Sequence, residues 1–159
     1  MLIWNRLKSL NFRQILRLSK FFITRPLYII PTYKATRRTL KICNTKFGKE
    51  HHLDNKANAF RHALWNFILC EAYFEISKSV EKALFQSKRI TDLHEDLFPN
   101  SAPARLMDLH NNKVGRTLFN MDNQLEIVNH LELMMENARK LAPFPEVKNS
   151  DTYLVYLED

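Results

Sequence analysis

A chain of 159 residues with 45% apolar and 11% aromatic residues suits one domain with a sizeable core and excludes disorder as a whole. Two glycines, Gly48 and Gly115, and two cysteines, Cys43 and Cys70, exclude a turn-rich β fold, a disulfide framework and a CxxC motif, and fit a reducing compartment. The net charge of +7 is uneven: residues 1–50 hold twelve Lys and Arg against one acid, Glu50, and the remainder holds twelve bases against sixteen acids. Such a front section either meets an anionic partner or simply solvates helix faces.

In chain order, residues 2–25 alternate Leu2, Ile3, Trp4, Leu7, Leu10, Ile15, Leu18, Phe21 and Phe22 with Arg6, Lys8, Arg13, Arg17, Lys20 and Arg25, a basic amphipathic pattern. Its charges interrupt every apolar run well short of the ~18–20 residues of a membrane span. No signal-peptide pattern is present, so the expected placement is cytoplasmic, peripheral to a membrane at most. Packing on the body or on a second copy in a homodimer is the first expectation for this section. An anionic membrane surface is the second, and nucleic acid the last, since no aromatic-basic RNA motif occurs. Pro26 and Pro31 predict an extended connector over 27–30. A helix follows over about 33–46, with Gly48 at its C-terminal cap. Residues 49–54 predict a polar loop in which His51 and His52 are surface residues, before Asp54 or Asn55 caps the next helix.

That helix, running to about Ile76, is apolar on almost every side, as the buried middle of a helical domain is. Yet Asn58, Arg61, His62 and Trp65 fall on one stripe of it, continued by Leu69. Burying an amide, a guanidinium and an imidazole costs stability unless each finds a partner. A helix over about 80–97 supplies Thr91, His94 and, at the edge of its inner face, Glu95. After Pro99, Ser101 and Pro103 mark the start of another, over 102–119. Beside its apolar stripe of Met107, Val114 and Leu118 runs a second stripe of Asp108, Asn111, Asn112 and Gly115, with His110 off to one side. Lacking a side chain, Gly115 would let a neighbouring helix approach closely. Asp122 is expected to cap a last helix over 123–140, ended by Pro143 and Pro145, and residues 153–157 to form a short strand or extended segment over the core. The predicted architecture is all-α: a basic amphipathic extension over 1–32, then one bundle-like helical domain over 33–159 with a short extended C-terminal tail.

Three consecutive helices therefore aim polar groups inward, and short connections favour their meeting in one pocket. His62, His94, Glu95 and Asp108 are the candidate catalytic residues, and Asn58, Arg61, Asn111 and Asn112 the candidate substrate-binding ones. His62, His94 and Asp108 are the candidate ligands of a divalent metal ion with a position open to water. Also consistent are a general acid–base pair in which Glu95 or Asp108 orients an imidazole, and a hydrogen-bond network that does no chemistry. No HExxH, GxSxG, Walker loop or dinucleotide fingerprint is present.

The strings Asn58-Ala-Phe-Arg61-His62-Ala-Leu-Trp65-Asn66, Ile90-Thr91-Asp92-Leu93-His94-Glu95 and Met107-Asp108-Leu109-His110-Asn111-Asn112-Lys-Val-Gly115-Arg116 resemble an uncharacterised bacterial domain family with the pattern N-A-x-R-H-A-x-W, H-E, M-D-x-x-N-N-x-x-G-R. The likeness covers about residues 33–118. It implies an all-helical domain with Arg61, His62, His94, Glu95, Asp108, Asn112 and Gly115 as its signature, found alone or in toxin-like chains. That occurrence points by analogy to hydrolysis. A looser likeness is to helical metal phosphohydrolases built on H…HD…D, with Glu95 where that pattern has Asp. The expected function is a hydrolase using this pocket, metal-dependent or acid–base. The alternative is a non-enzymatic module whose basic front section binds an anionic membrane surface, a partner protein or nucleic acid.

Overall fold

The computed structural model describes residue 8, residues 10–141 and residues 152–158. Residues 2–7 of the amphipathic pattern, Pro143 and Pro145 lie outside them. Six helices fill most of the described chain: α1 (Phe12–Ile23), α2 (Ile29–Phe47), α3 (Lys56–Ser77), α4 (Val80–Leu97), α5 (Ala102–Met121) and α6 (Ile127–Glu136). Short 3-10 turns at Pro26–Tyr28 and Glu50–His52 precede α2 and α3. A single residue pair from each of β1 (Arg139–Lys140) and β2 (Val155–Tyr156) runs parallel, Arg139 opposite Val155 and Lys140 opposite Tyr156. The domain is all-α, as the sparse glycine and the helical periodicity predict.

α3 is the axis of the bundle. Thirteen of its residues are buried, on every side of the helix, because α2, α4, α5 and α6 all pack against it. Phe60, Leu64, Phe67, Leu69 and Tyr73 anchor that core. The caps explain why the helices begin where they do. The side chains of Asn55, Ser79 and Ser101 accept from Asn58, Lys82 and Ala104 backbone N–H groups that have no partner within their own helix. Gly48 ends α2 with φ +57°, a conformation that a side chain disfavours.

Two elements differ from the sequence reading. Residues 27–30 are not extended: a 3-10 turn leads directly into α2, and Pro31 sits in its first turn, where a missing N–H costs nothing. The last helix is α6, shorter at both ends than expected. Asp122 caps no helix start; its carboxylate accepts from the Gln124 N–H in the turn after α5. At the other end Arg139 and Leu141 donate to Leu154 and Tyr156 of the tail, so tertiary pairing takes the backbone donors that another helical turn would use. The tail itself is held down: Leu154 is fully buried and Val155 nearly so.

α1 buries none of its own residues. Asn11 and Gln14 form a reciprocal capping box at its start. Gln14 Nε2 donates to the Leu97 carbonyl at 2.7 Å, and Arg17 pairs with Asp96 at 3.1 Å. The helix therefore lies along the C-terminal end of α4. No helix among the described residues is long and apolar enough to cross a membrane.

Candidate functional site

His62, on α3, is 3% exposed and is the centre of the polar interior. Its Nδ1 lies 3.0 Å from Asn112 Oδ1 and its Nε2 2.8 Å from Arg61 Nη2. A guanidinium has only donors, so Nε2 accepts and the ring proton sits on Nδ1, donated to Asn112. Burial holds the imidazole well below its ordinary pKa, and the nearby Arg61 charge and His94 push it the same way. His62 is therefore neutral with a fixed tautomer.

Both carboxylates stand behind this ring. Asp108 Oδ1, on α5, is 3.2 Å from Nε2, and Glu95 Oε1, on α4, is 3.8 Å from Nδ1. Asn112 Nδ2 donates to Glu95 Oε1 at 3.1 Å, and Asn100 Nδ2 to Asp108 Oδ2 at 3.2 Å. Burial raises Asp108 to about 6, against the Arg61 charge that lowers it. Burial, then the Asp108 charge, raises Glu95 to about 7. One ligand atom from each of His62, Glu95 and Asp108 lies within 4.8 Å of the others, a grouping able to hold a metal ion. His94, expected among the ligands, is not in that group; Glu95 takes its place. The His94 ring instead packs edge-on to Trp65 at 5.1 Å and against Phe98 at 5.0 Å, one residue round α4 from the cluster.

The remaining expected residues divide. Asn58 is buried and accepts from Arg61 Nη2 at 3.0 Å, while Arg61 Nη1 donates to the His51 carbonyl at 2.7 Å. Asn112 is at the heart of the network. Asn111, expected at the substrate, points the other way: its amide donates to the Val155 carbonyl at 2.8 Å and accepts from the Val155 N–H at 3.0 Å, pinning the tail. Consecutive helical residues project about 100° apart, so the two asparagines serve different sides of α5. His110 goes with Asn111, 2.9 Å from the Tyr153 carbonyl.

Asn66 and Arg116 stand in the motif strings without an expected role. Asn66 is fully buried one turn beyond His62, and its Nδ2 donates to Asn112 Oδ1 at 2.6 Å. Its Oδ1 accepts from Arg116, Ser87 and Thr91. The signal was present: Asn66 follows His62, and Arg116 follows Asn112, at the i, i+4 spacing that shares a helix face.

His51 is a correction. It is fully buried rather than on the surface, its Nε2 2.8 Å from Asn44 Oδ1 and its backbone carbonyl committed to Arg61. Burial, His52 and Arg61 lower its pKa to about 4. A base whose pKa falls on folding contributes stability that is present above its unfolded value near 6.5 and lost as the pH drops through about 4. The penalty of His51→Gln, read from urea midpoints, should therefore shrink as the pH falls from 7.5 to about 4. A penalty that does not change with pH would show that the ring is not held neutral.

In front of His62 opens a cavity of about 440 Å³ between α1, α2, α3 and α4. Arg61, His62, His94 and His52 form its one nitrogen-rich end, and the rest is walled chiefly by aliphatic and aromatic side chains. Neither carboxylate lines it; His62 does, and so does Arg61, whose guanidinium is 2.8 Å from the same Nε2 that Asp108 approaches.

Fold and site together define a helical-bundle domain with a neutral histidine between two buried carboxylates. The chain belongs to the family of the domain of unknown function DUF6973, whose model matches residues 19–140. That match extends beyond the three motif strings on both sides, from within α1 to β1. No curated protein matches the chain.

Proposed function

We propose that this chain is a hydrolase that activates water at His62, Glu95 and Asp108, with a divalent cation held among the three. The observation that carries the reading is Asp108 Oδ1: buried, without a hydrogen-bond partner among the described residues, and 3.2 Å from a ring nitrogen that is itself an acceptor. A buried acceptor left in that state costs about 1–3 kcal/mol, which a cation recovers. One imidazole and two carboxylates are a donor set suited to Mn²⁺, Zn²⁺ or Mg²⁺. Bound there, the ion would polarise a substrate oxygen and make its water a nucleophile near neutral pH.

The chain's own residues do the positioning. Asn112 fixes the His62 tautomer and holds Glu95 Oε1, and Asn100 holds Asp108 Oδ2, as supporting partners of metal ligands do. Arg61 has to leave Nε2 for a cation to enter. It lines the cavity, so a substrate carbonyl or anion arriving there offers it a charge-assisted bond in exchange. The test is elemental analysis of untagged protein, before and after incubation with each ion. About one equivalent per chain is expected; no retention of any ion would leave the buried network as the better reading.

A second reading rests on α1. At about 100° per residue, Phe12, Leu16 and Ile23 fall in one narrow sector, with Arg13 and Lys20 beside it. Phe12 and Ile23 are each 78% exposed and Leu16 59%. That is the pattern of a helix lying in an anionic membrane interface. The protein should sediment with phosphatidylserine-containing vesicles and not with phosphatidylcholine alone, and moderate salt should weaken the association. Phe12→Asp should reduce it several-fold. Equal behaviour with both vesicle types would rule out the charge-driven contact.

A further inference from the structure

The cavity in front of His62 has a wall that its sequence does not advertise. On α2, Thr32, Thr36 and Thr39 line it, together with Ile29, Tyr33 and Leu40. The three threonine hydroxyls donate to the carbonyls one turn earlier, Tyr28, Thr32 and Ala35. Thr36 also accepts from Trp65 Nε1 at 3.0 Å. The hydroxyls are thus already engaged within the bundle, and the surface they leave to a ligand is mostly hydrocarbon. Leu93 and Leu97 of α4 and Phe98 just after it face it, with Leu18 and Phe22 of α1 closing the third side. Residues 29 to 40 of a helix extend over about 16 Å, so this is a long trough rather than a round pocket.

Its two ends differ. The inner end carries the Arg61 guanidinium and three imidazoles. At the other, Ile29 and Tyr33 line the trough and are also 44% and 52% exposed, next in sequence to Leu27 and Ile30, themselves 73% and 64% exposed. An apolar surface therefore runs from outside into the trough and stops at a cluster of nitrogen groups. A volume of about 440 Å³ lies in the range of sites for whole organic ligands, ~300–1,000 Å³.

We propose that the trough binds a long acyl chain whose carboxylate or ester oxygen lies against Arg61. As the substrate class of the hydrolase this rests on the reading of His62, Glu95 and Asp108 given above, but binding of the chain does not depend on it. The apolar walls take the hydrocarbon, and Arg61 takes the oxygen head, placing a carboxylic ester beside His62.

Fluorescence titration with cis-parinaric acid, kept below its micelle concentration, tests the chain directly. One saturable site per protein is expected, with displacement by palmitate at least tenfold tighter than by octanoate, because apolar contact area sets the affinity. Displacement by methyl palmitate as well as palmitate would identify an ester as a ligand; displacement by palmitate alone would restrict it to free acids. Leu93→Trp and Leu40→Trp, which fill the trough from two different helices, should each weaken binding at least tenfold while keeping the wild-type helical spectrum. Absence of saturable binding, or equal affinity for octanoate and palmitate, overturns the proposal, as does wild-type affinity in both folded variants. Saturable binding with no ester hydrolysis would retain the acyl site and remove the hydrolytic reading.

Discussion

Gly115→Ala should lower the melting temperature by roughly 10 °C or leave no folded protein to melt. A Cβ at that position would stand 2.0 Å from the Ala63 carbonyl oxygen, 2.8 Å from its carbon and 3.0 Å from Ala63 Cα. All three are backbone atoms in the middle of α3, so no side-chain rotation relieves the contact. Overpacking a core costs about 1–3 kcal/mol when side chains can shift, and here a whole helix must move. For a domain of this length about 3 kcal/mol corresponds to a drop on the order of 10 °C. The displacement would also carry Asn112 and Asp108 away from His62, because both lie on the same face of α5. Gly48→Ala is the control: its positive φ makes alanine unfavourable, yet no atom of the described residues lies within 4 Å of the added carbon, so only local strain is expected. Equal melting temperatures for Gly115→Ala and wild type would show that α3 and α5 do not cross at this distance.

Glu95→Gln and Asp108→Asn should abolish metal retention and hydrolysis while the domain stays folded, and the metal-free proteins should separate by pH. Both carboxyls have raised folded pKa values, about 7 and about 6. A carboxyl of this kind contributes stability that is full below its unfolded pKa and lost as the pH rises through the folded one. Metal-free wild type should thus lose, between about pH 4 and 7, a contribution that Glu95→Gln does not lose. The glutamine oxygen still accepts from Asn112, and at pH 8 the variant should be the more stable by up to roughly 3 kcal/mol. A bound cation reverses this, because the ligands must be ionised to hold it. Wild type should therefore gain melting temperature on adding metal, more at pH 8 than at pH 6, and neither variant should gain. If EDTA and metal leave wild type unchanged at both pH values while Glu95→Gln is more stable at pH 8, the cluster is a buried polar network without a cation.

Much of the site was readable from spacing. Asn58, Arg61 and His62 share a stripe by helical geometry alone, and that stripe had to be inward because the rest of α3 is apolar. Glu95 was placed only at the edge of the inner face of α4, and Gly115 was legible as a point of close approach. What failed were choices between neighbours. His94 and Glu95 are adjacent, and only the packing of Trp65 and Phe98 decides that the imidazole goes to the cavity and the carboxylate to His62.

Periodicity and end-capping located α3, α4 and α5 in advance, since a hydrogen bond from residue i to i−4 and a capping side chain three residues away are local matters that short stretches dictate. Asn55 and Ser101 are such cases, and so is the apolar girth of α3. The assembled packing alone decided which of Asn111 and Asn112 meets His62, that His51 is buried, that the α2 threonines wall an apolar trough, and that α6 stops where the tail pairs. Each of those outcomes depends on contact between segments far apart in the chain. His62 and Asn112 are separated by 50 positions, and no periodicity within either helix encodes where the other will cross.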